Sequence, residues 1–124
     1  MAIYKTRWFA RWTRKEGLLD GLLRGAVEEM AKGLFEADLG GNVLKKRIAR
    51  PGQGKSGGYR TLVATNRGSR WFYVYGFAKN VRSNIDPDEE AALKKLAATL
   101  LKLTPAALTK AQTAGEIIEV NGHA

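Results

Sequence analysis

Apolar residues recur along this chain in two periods. Between residues 18 and 35, Leu19, Leu22, Leu23, Ala26, Val27, Met30, Ala31 and Leu34 lie three and four positions apart, which predicts one amphipathic helix with a single apolar stripe. The preceding "RWFARWTRKEG" sets Trp8, Phe9 and Trp12 at helical spacing with Gly17 as a stop, and "AIYKT" ahead of it can open a strand. From residue 43 the period becomes two. In "VLKKRIA", Leu44, Lys46 and Ile48 share one face of a strand, while Lys45, Arg47 and Ala49 share the other. In "YRTLVAT", Tyr59, Thr61, Val63 and Thr65 alternate with Arg60, Leu62 and Ala64. "RWFYVYGFAK" is an aromatic, β-branched strand buried on at least one side, and "ADLGGN" and "NRGS" are turn clusters.

The C-terminal third returns to helix. Asp86 stands as an N-cap with Pro87 at the first helical position and Glu89 at the third, a capping box with acids on the positive end of the helix. Thr104 and Pro105 repeat that start signal for a shorter helix ending near Gly115, and "EIIEV" reads as an edge strand. The expected architecture is α+β: a twisted antiparallel sheet, two N-terminal helices over one face, an open basic second face, and a C-terminal helical extension. Residues 1–103 form the main domain, and 104–124 are an extension of the same structural unit.

Charge narrows the partner. The 124 residues carry 21 Lys and Arg against 12 acids, a formal charge of +9 and a pI near 10.0, which favours a polyanionic partner over a neutral metabolite. Residues 45–82 hold ten basic residues and no acid. The chain has no cysteine, which excludes structural disulfides and thiolate zinc sites. No apolar run is long enough to cross a bilayer and no secretory signal is visible, so the expectation is a soluble cytoplasmic protein without a membrane role. The basic, Trp-rich "YKTRWFARWTRKE" is read as core rather than as a membrane-surface helix.

The stretch "ARPGQGKS" matches a nucleotide-binding loop pattern if alanine replaces its first glycine. Such a loop cradles phosphates only where a strand enters it and a helix leaves it. Here "GGYRTLVAT" follows with the period of a strand, so the glycines join neighbouring antiparallel strands.

The remaining chemistry is that of Lys, Arg and Tyr. Cleaving RNA through its 2′-OH needs a base, cations on the phosphorane oxygens and an acid for the leaving oxygen. His123 is the only histidine, so a two-histidine nuclease is excluded. The acids sit at helix starts and faces and not on the basic sheet, so metal catalysis is poorly supported and no cofactor is expected. Lys45 and Arg47 share the charged face, Arg60 joins them if the register allows, and Lys55 reaches over the same groove. A lysine crowded by cations can serve as a base, and arginine is a rigid phosphate clamp.

The block "LKKRIARPGQGKSGGYRTLVA…RWFYVYGFAKNVRSNI" resembles the RelE superfamily of bacterial toxins. Its Lys-x-Arg strand, its K-x-G-G-x-R loop and its "YGFAKN" resemble the HigB-like branch in particular. The resemblance covers residues 1 to about 103 and is most specific over 43–85. It implies a RelE-like domain that cleaves mRNA in the ribosomal A site and is neutralised by an antitoxin encoded beside it, expected to be a small helix-turn-helix DNA-binding protein. It implies catalytic roles for Lys45, Arg47 and Arg60 and matches Lys79 and Arg82 to basic residues near the end of the last strand; Lys46, Arg50, Lys55, Arg70, Tyr73 and Tyr75 join Lys79 and Arg82 as the expected RNA contacts. Two positions depart from the best-studied branch: Asn80 replaces an arginine, and a tyrosine is missing near Asp86. Lys55, Tyr73 and Tyr75 are the substitutes for acid and base. The competing readings are a ParE-like toxin that poisons gyrase by binding protein, and a non-catalytic nucleic-acid-binding module with steep salt dependence.

Overall fold

The structure, a computed structural model, describes residues 1–50 and 57–121. Strand β1 (Ala2–Thr6) runs directly into helix α1 (Arg7–Glu16), because the Thr6 hydroxyl accepts from the Phe9 amide at 3.2 Å and caps the first turn. Helix α2 (Asp20–Ala31) is shorter than the apolar period 18–35 implies. Gly33 takes φ +89°, a left-handed conformation that ends the stripe, and Leu34 beyond it is exposed. The "ADLGGN" cluster holds a two-residue strand, β2 (Ala37–Asp38), before the chain turns into β3 (Val43–Ile48). Strands β4 (Tyr59–Thr65) and β5 (Arg70–Ala78) follow, then α3 (Pro87–Leu101), α4 (Pro105–Thr113) and β6 (Ile117–Glu119). The Asp86 capping box is formed as expected, with its carboxylate accepting from Glu89 N–H at 2.8 Å.

One six-stranded sheet has the order β2-β3-β4-β5-β1-β6. The expected antiparallel pairing holds for every neighbouring pair except β1–β5, which is parallel. Hairpin turn signals specify only neighbours joined by short loops. The β1–β5 pair closes over a long crossover through both N-terminal helices, and no local residue marks it.

The sheet is covered on both sides. Phe9, Leu23, Val27 and Met30 of α1 and α2 pack on Leu44, Tyr59, Val63, Trp71 and Tyr73. Ala97, Leu100 and Leu108 of α3 and α4 pack on Val43, Leu62, Ala64, Phe72, Val74 and Phe77. The expected open basic face is therefore confined to one end of the sheet, because α3 and α4 fold back over the rest. All seven residues of β4 are buried. At the end left open, Arg47 pairs in register with Arg60 and Arg60 with Phe77, while Lys45 pairs with Leu62 and Leu62 with Tyr75. The ladder shifts register between Leu62 and Val63, leaving Val74 as an extra residue on β5.

Gly58 fixes the β3–β4 connection. A Cβ there would lie 2.4 Å from the Ile48 carbonyl oxygen and 2.9 Å from the Arg50 nitrogen, so only glycine lets the two strands come this close. The segment enters from β3 and leaves as antiparallel β4, not as a helix, which removes the context a nucleotide-binding loop requires. Residues 51–56 themselves, Lys55 among them, lie outside the described residues, as does His123.

Candidate nucleic-acid interface

The β3–β4 register turns Lys45, Arg47 and Arg60 to the same side of the sheet, and the three cations converge on one carboxylate. Glu36 Oε1 lies 3.1 Å from Arg60 Nε and 4.0 Å from Lys45 Nζ, and its Oε2 lies 3.9 Å from Arg47 Nε. Glu36 is held there by its own backbone, whose N–H donates to the Lys45 carbonyl at 2.8 Å just ahead of β2. Acids are thus not absent from the basic sheet. The short edge strand β2, invisible to a periodicity reading, brings the residue just ahead of it, Glu36, against the three cations. The only signal in the sequence is position, since Glu36 and Asp38 are the last acids before the acid-free stretch.

The three cations differ in access. The Arg60 side chain is 5% exposed and forms the floor, Lys45 is 12% exposed, and Arg47 at 45% meets solvent. Lys45 Nζ also donates to Asn84 Oδ1 at 3.0 Å, which ties β3 to the segment leading into α3.

Beside this cluster Arg82 binds Glu89 through both terminal nitrogens at 2.6 and 2.9 Å, donates to the Tyr75 hydroxyl at 3.1 Å and to the Asn84 carbonyl, and lies over the Phe77 ring. The hydrogen-bonded carboxylate pushes the Arg82 guanidinium well above its ordinary pKa, and chiefly that bond to Arg82, then the Asp86 amide, brings Glu89 down to about 2. Lys79 donates to the Ser83 carbonyl at 3.0 Å, and Arg50 lies over the Tyr59 ring. Tyr75 is half-buried and stacks on Trp8 with ring centroids 4.6 Å apart.

Three residues expected to contact RNA are placed elsewhere. Lys46 points to the opposite side of the sheet, under α2, where it is buried and binds Glu29 at 2.7 Å and the Leu34 carbonyl at 2.9 Å. Tyr73 is fully buried against Phe9, its hydroxyl donating to the Leu23 carbonyl at 2.6 Å, and burial drives its pKa far above the ordinary phenol value. That placement also removes it as a source of acid or base. Arg70 lies at the far end of β5 and donates to the Leu103 carbonyl, bracing the link between α3 and α4. The strand period contains the reason: Lys46 and Tyr73 share the face of Leu44 and Trp71, the helix-covered side.

The architecture is a small α+β domain whose mixed sheet leaves one end open around a lysine, two arginines and a glutamate. Among models of known protein families, the one described as RelE toxin of RelE / RelB toxin-antitoxin system matches residues 1–120, and the chain belongs to this family. It is therefore a toxin of a toxin–antitoxin system, with an antitoxin as its partner. No curated protein matches it. Among the described residues, no helix is long and apolar enough to cross a membrane, and no three His, Cys, Asp or Glu side chains form a group that could hold a metal ion.

Proposed function

We propose that this toxin is a ribosome-dependent, metal-independent mRNA endoribonuclease of the HigB-like kind, acting in the cytoplasm and released when its DNA-binding antitoxin is removed. The observation that carries the reading is the convergence of Lys45, Arg47 and Arg60 on Glu36. A gyrase-binding surface has no need of a carboxylate inside a phosphate-sized cluster of cations, whereas transesterification of RNA uses both. Glu36 takes the proton from the ribose 2′-OH, the 2′-oxygen attacks phosphorus, and the bond to the 5′-oxygen breaks. The Lys45 ammonium gives a proton to that leaving oxygen, so the products are a 2′,3′-cyclic phosphate and a 5′-hydroxyl. Protonation of Glu36 cancels the charge that engages the two guanidinium groups. Arg47 from the solvent side and Arg60 from the floor are then available to the phosphorane oxygens, where negative charge has grown. Lys79 and Arg50 lie near the cluster where flanking phosphates can be met, and Lys55 is proposed to contact one as well.

Glu36→Gln keeps the shape of the cluster and removes its base. Its rate of mRNA cleavage on programmed ribosomes should fall by roughly 10²- to 10⁴-fold. Arg60→Ala should fall by roughly 10²- to 10³-fold, with both variants keeping the parent's far-ultraviolet dichroism. Cleavage by Glu36→Gln at the parental rate sinks the mechanism. Gyrase inhibition by a parent protein that leaves mRNA intact sinks the nuclease assignment itself.

A further inference from the structure

Helix α1 carries a stripe that the cleavage site does not use. Trp8 lies three and four residues before Arg11 and Trp12, and Lys15 three and four after Trp12 and Arg11, so the four lie along one side of the helix. Trp12 is spent on packing, with its ring against Gly76 and edge-on to Tyr59. Trp8 is not. It is 41% exposed, and Arg11 and Lys15 are exposed beside it. The helix has no acid before Glu16.

The stripe is joined to the cluster by contacts. Arg60 pairs in register with Phe77, Arg82 lies 5.6 Å above the Phe77 ring, Arg82 donates to the Tyr75 hydroxyl, and Tyr75 stacks on Trp8. Strands spaced about 4.8 Å apart put the β3 cations and Tyr75 on the order of 10 Å from each other, so Trp8 lies a nucleotide or so beyond the scissile position.

We propose that Trp8 is a stacking platform for a nucleobase of the mRNA next to the cleaved bond, with Arg11 and Lys15 receiving the phosphates that follow. The proposal rests on the reading of this toxin as a ribonuclease and adds a positioning surface to it. Bases of single-stranded RNA are recognised by aromatic faces and its backbone by cations, and this stripe alternates the two. A membrane surface is disfavoured because the rest of the aromatic content of α1, Phe9 and Trp12, is packed into the domain. A protein segment would instead use the apolar cavity of about 470 Å³ on the other flank of Trp8, lined by Val74, Leu96, Leu100 and Ile117.

The test is cleavage on programmed ribosomes by the full chain, using mRNA that is intact or abasic at the nucleotide flanking the cut. With intact mRNA, Trp8→Ala should raise KM about five- to a hundredfold, Trp8→Phe should restore most of the loss, and kcat should change little. With abasic mRNA the parent should lose the same factor, and Trp8→Ala should lose nothing more. Should Trp8→Ala unfold, Trp8→Phe and the exposed pair Arg11→Ala with Lys15→Ala carry the test, the pair weakening KM more at low salt than at high. A parental KM for Trp8→Ala overturns the platform and leaves the nuclease standing. Additive losses from the variant and the abasic site overturn it too, since they mark a structural residue. So does an unchanged KM joined to weaker antitoxin binding, which assigns Trp8 to the protein partner. A parent chain that cuts no mRNA overturns the nuclease reading and the platform with it.

Discussion

Lys46 separates a cation that holds the fold from one that serves the substrate, and Lys46→Met is the substitution that shows it. The lysine ammonium makes two contacts under α2, one to the Glu29 carboxylate at 2.7 Å and one to the Leu34 carbonyl at 2.9 Å, with its side chain 7% exposed. Hydrogen bonds to a charged group contribute roughly 1.5–3 kcal/mol each in buried settings. Both figures need discounting. Glu29 is 42% exposed and regains water when the lysine goes, and methionine fills much of the same space without the cost of burying a charge. A net loss of about 1–2 kcal/mol remains, which in a domain of this size lowers Tm by roughly 3–10 °C. The assay is thermal unfolding by circular dichroism together with mRNA cleavage on programmed ribosomes, run well below the variant's Tm. Cleavage should match the parent. An unchanged Tm with cleavage reduced tenfold or more would refute the reasoning, because it would mean that Lys46 reaches the RNA.

Tyr73→Phe removes a buried donor to the Leu23 carbonyl and should cost about 1 kcal/mol in urea unfolding while leaving cleavage intact; a catalytic loss with unchanged stability would return Tyr73 to the site. Gly58→Ala forces a Cβ against the Ile48 carbonyl oxygen at 2.4 Å and should destabilise the domain by more than about 2 kcal/mol, read as a lowered urea midpoint; a midpoint within error of the parent's contradicts the close approach. Glu89 has its pKa lowered in the folded protein to about 2 from 4.5, so its contribution to stability is fully present above about pH 4.5 and is lost as pH falls toward 2. Glu89→Gln should therefore flatten the fall in urea midpoint between pH 5 and pH 2, and equal slopes in parent and variant would show that Arg82 does not hold the carboxylate in solution.

Local chemistry in the sequence determined most of the elements. Thr6 and Gly17 bound α1, Asp86, Pro87 and Glu89 start α3, Thr104 and Pro105 start α4, and the two-residue period sets the facing of β3 and β4, because each of these signals acts over a few residues of backbone. That facing also put Lys45 and Arg47 on one side, and the β3–β4 register, which pairs Arg47 with Arg60, brought Arg60 to them. Position within the assembled domain was decided elsewhere. The parallel β1–β5 pair closes over a long crossover, the second face is covered by helices that arrive last, and the bulge at Val74 answers to packing. The same holds for charge. Lys45 and Lys46 are adjacent and chemically identical, yet one meets Asn84 and Glu36 at the open end while the other is sealed beneath α2. Glu36 reaches the cluster only because β2 pairs with β3, a contact of two residues that no periodicity can reveal. Periodicity fixes which way a side chain points, and only the packed neighbours fix what it meets there.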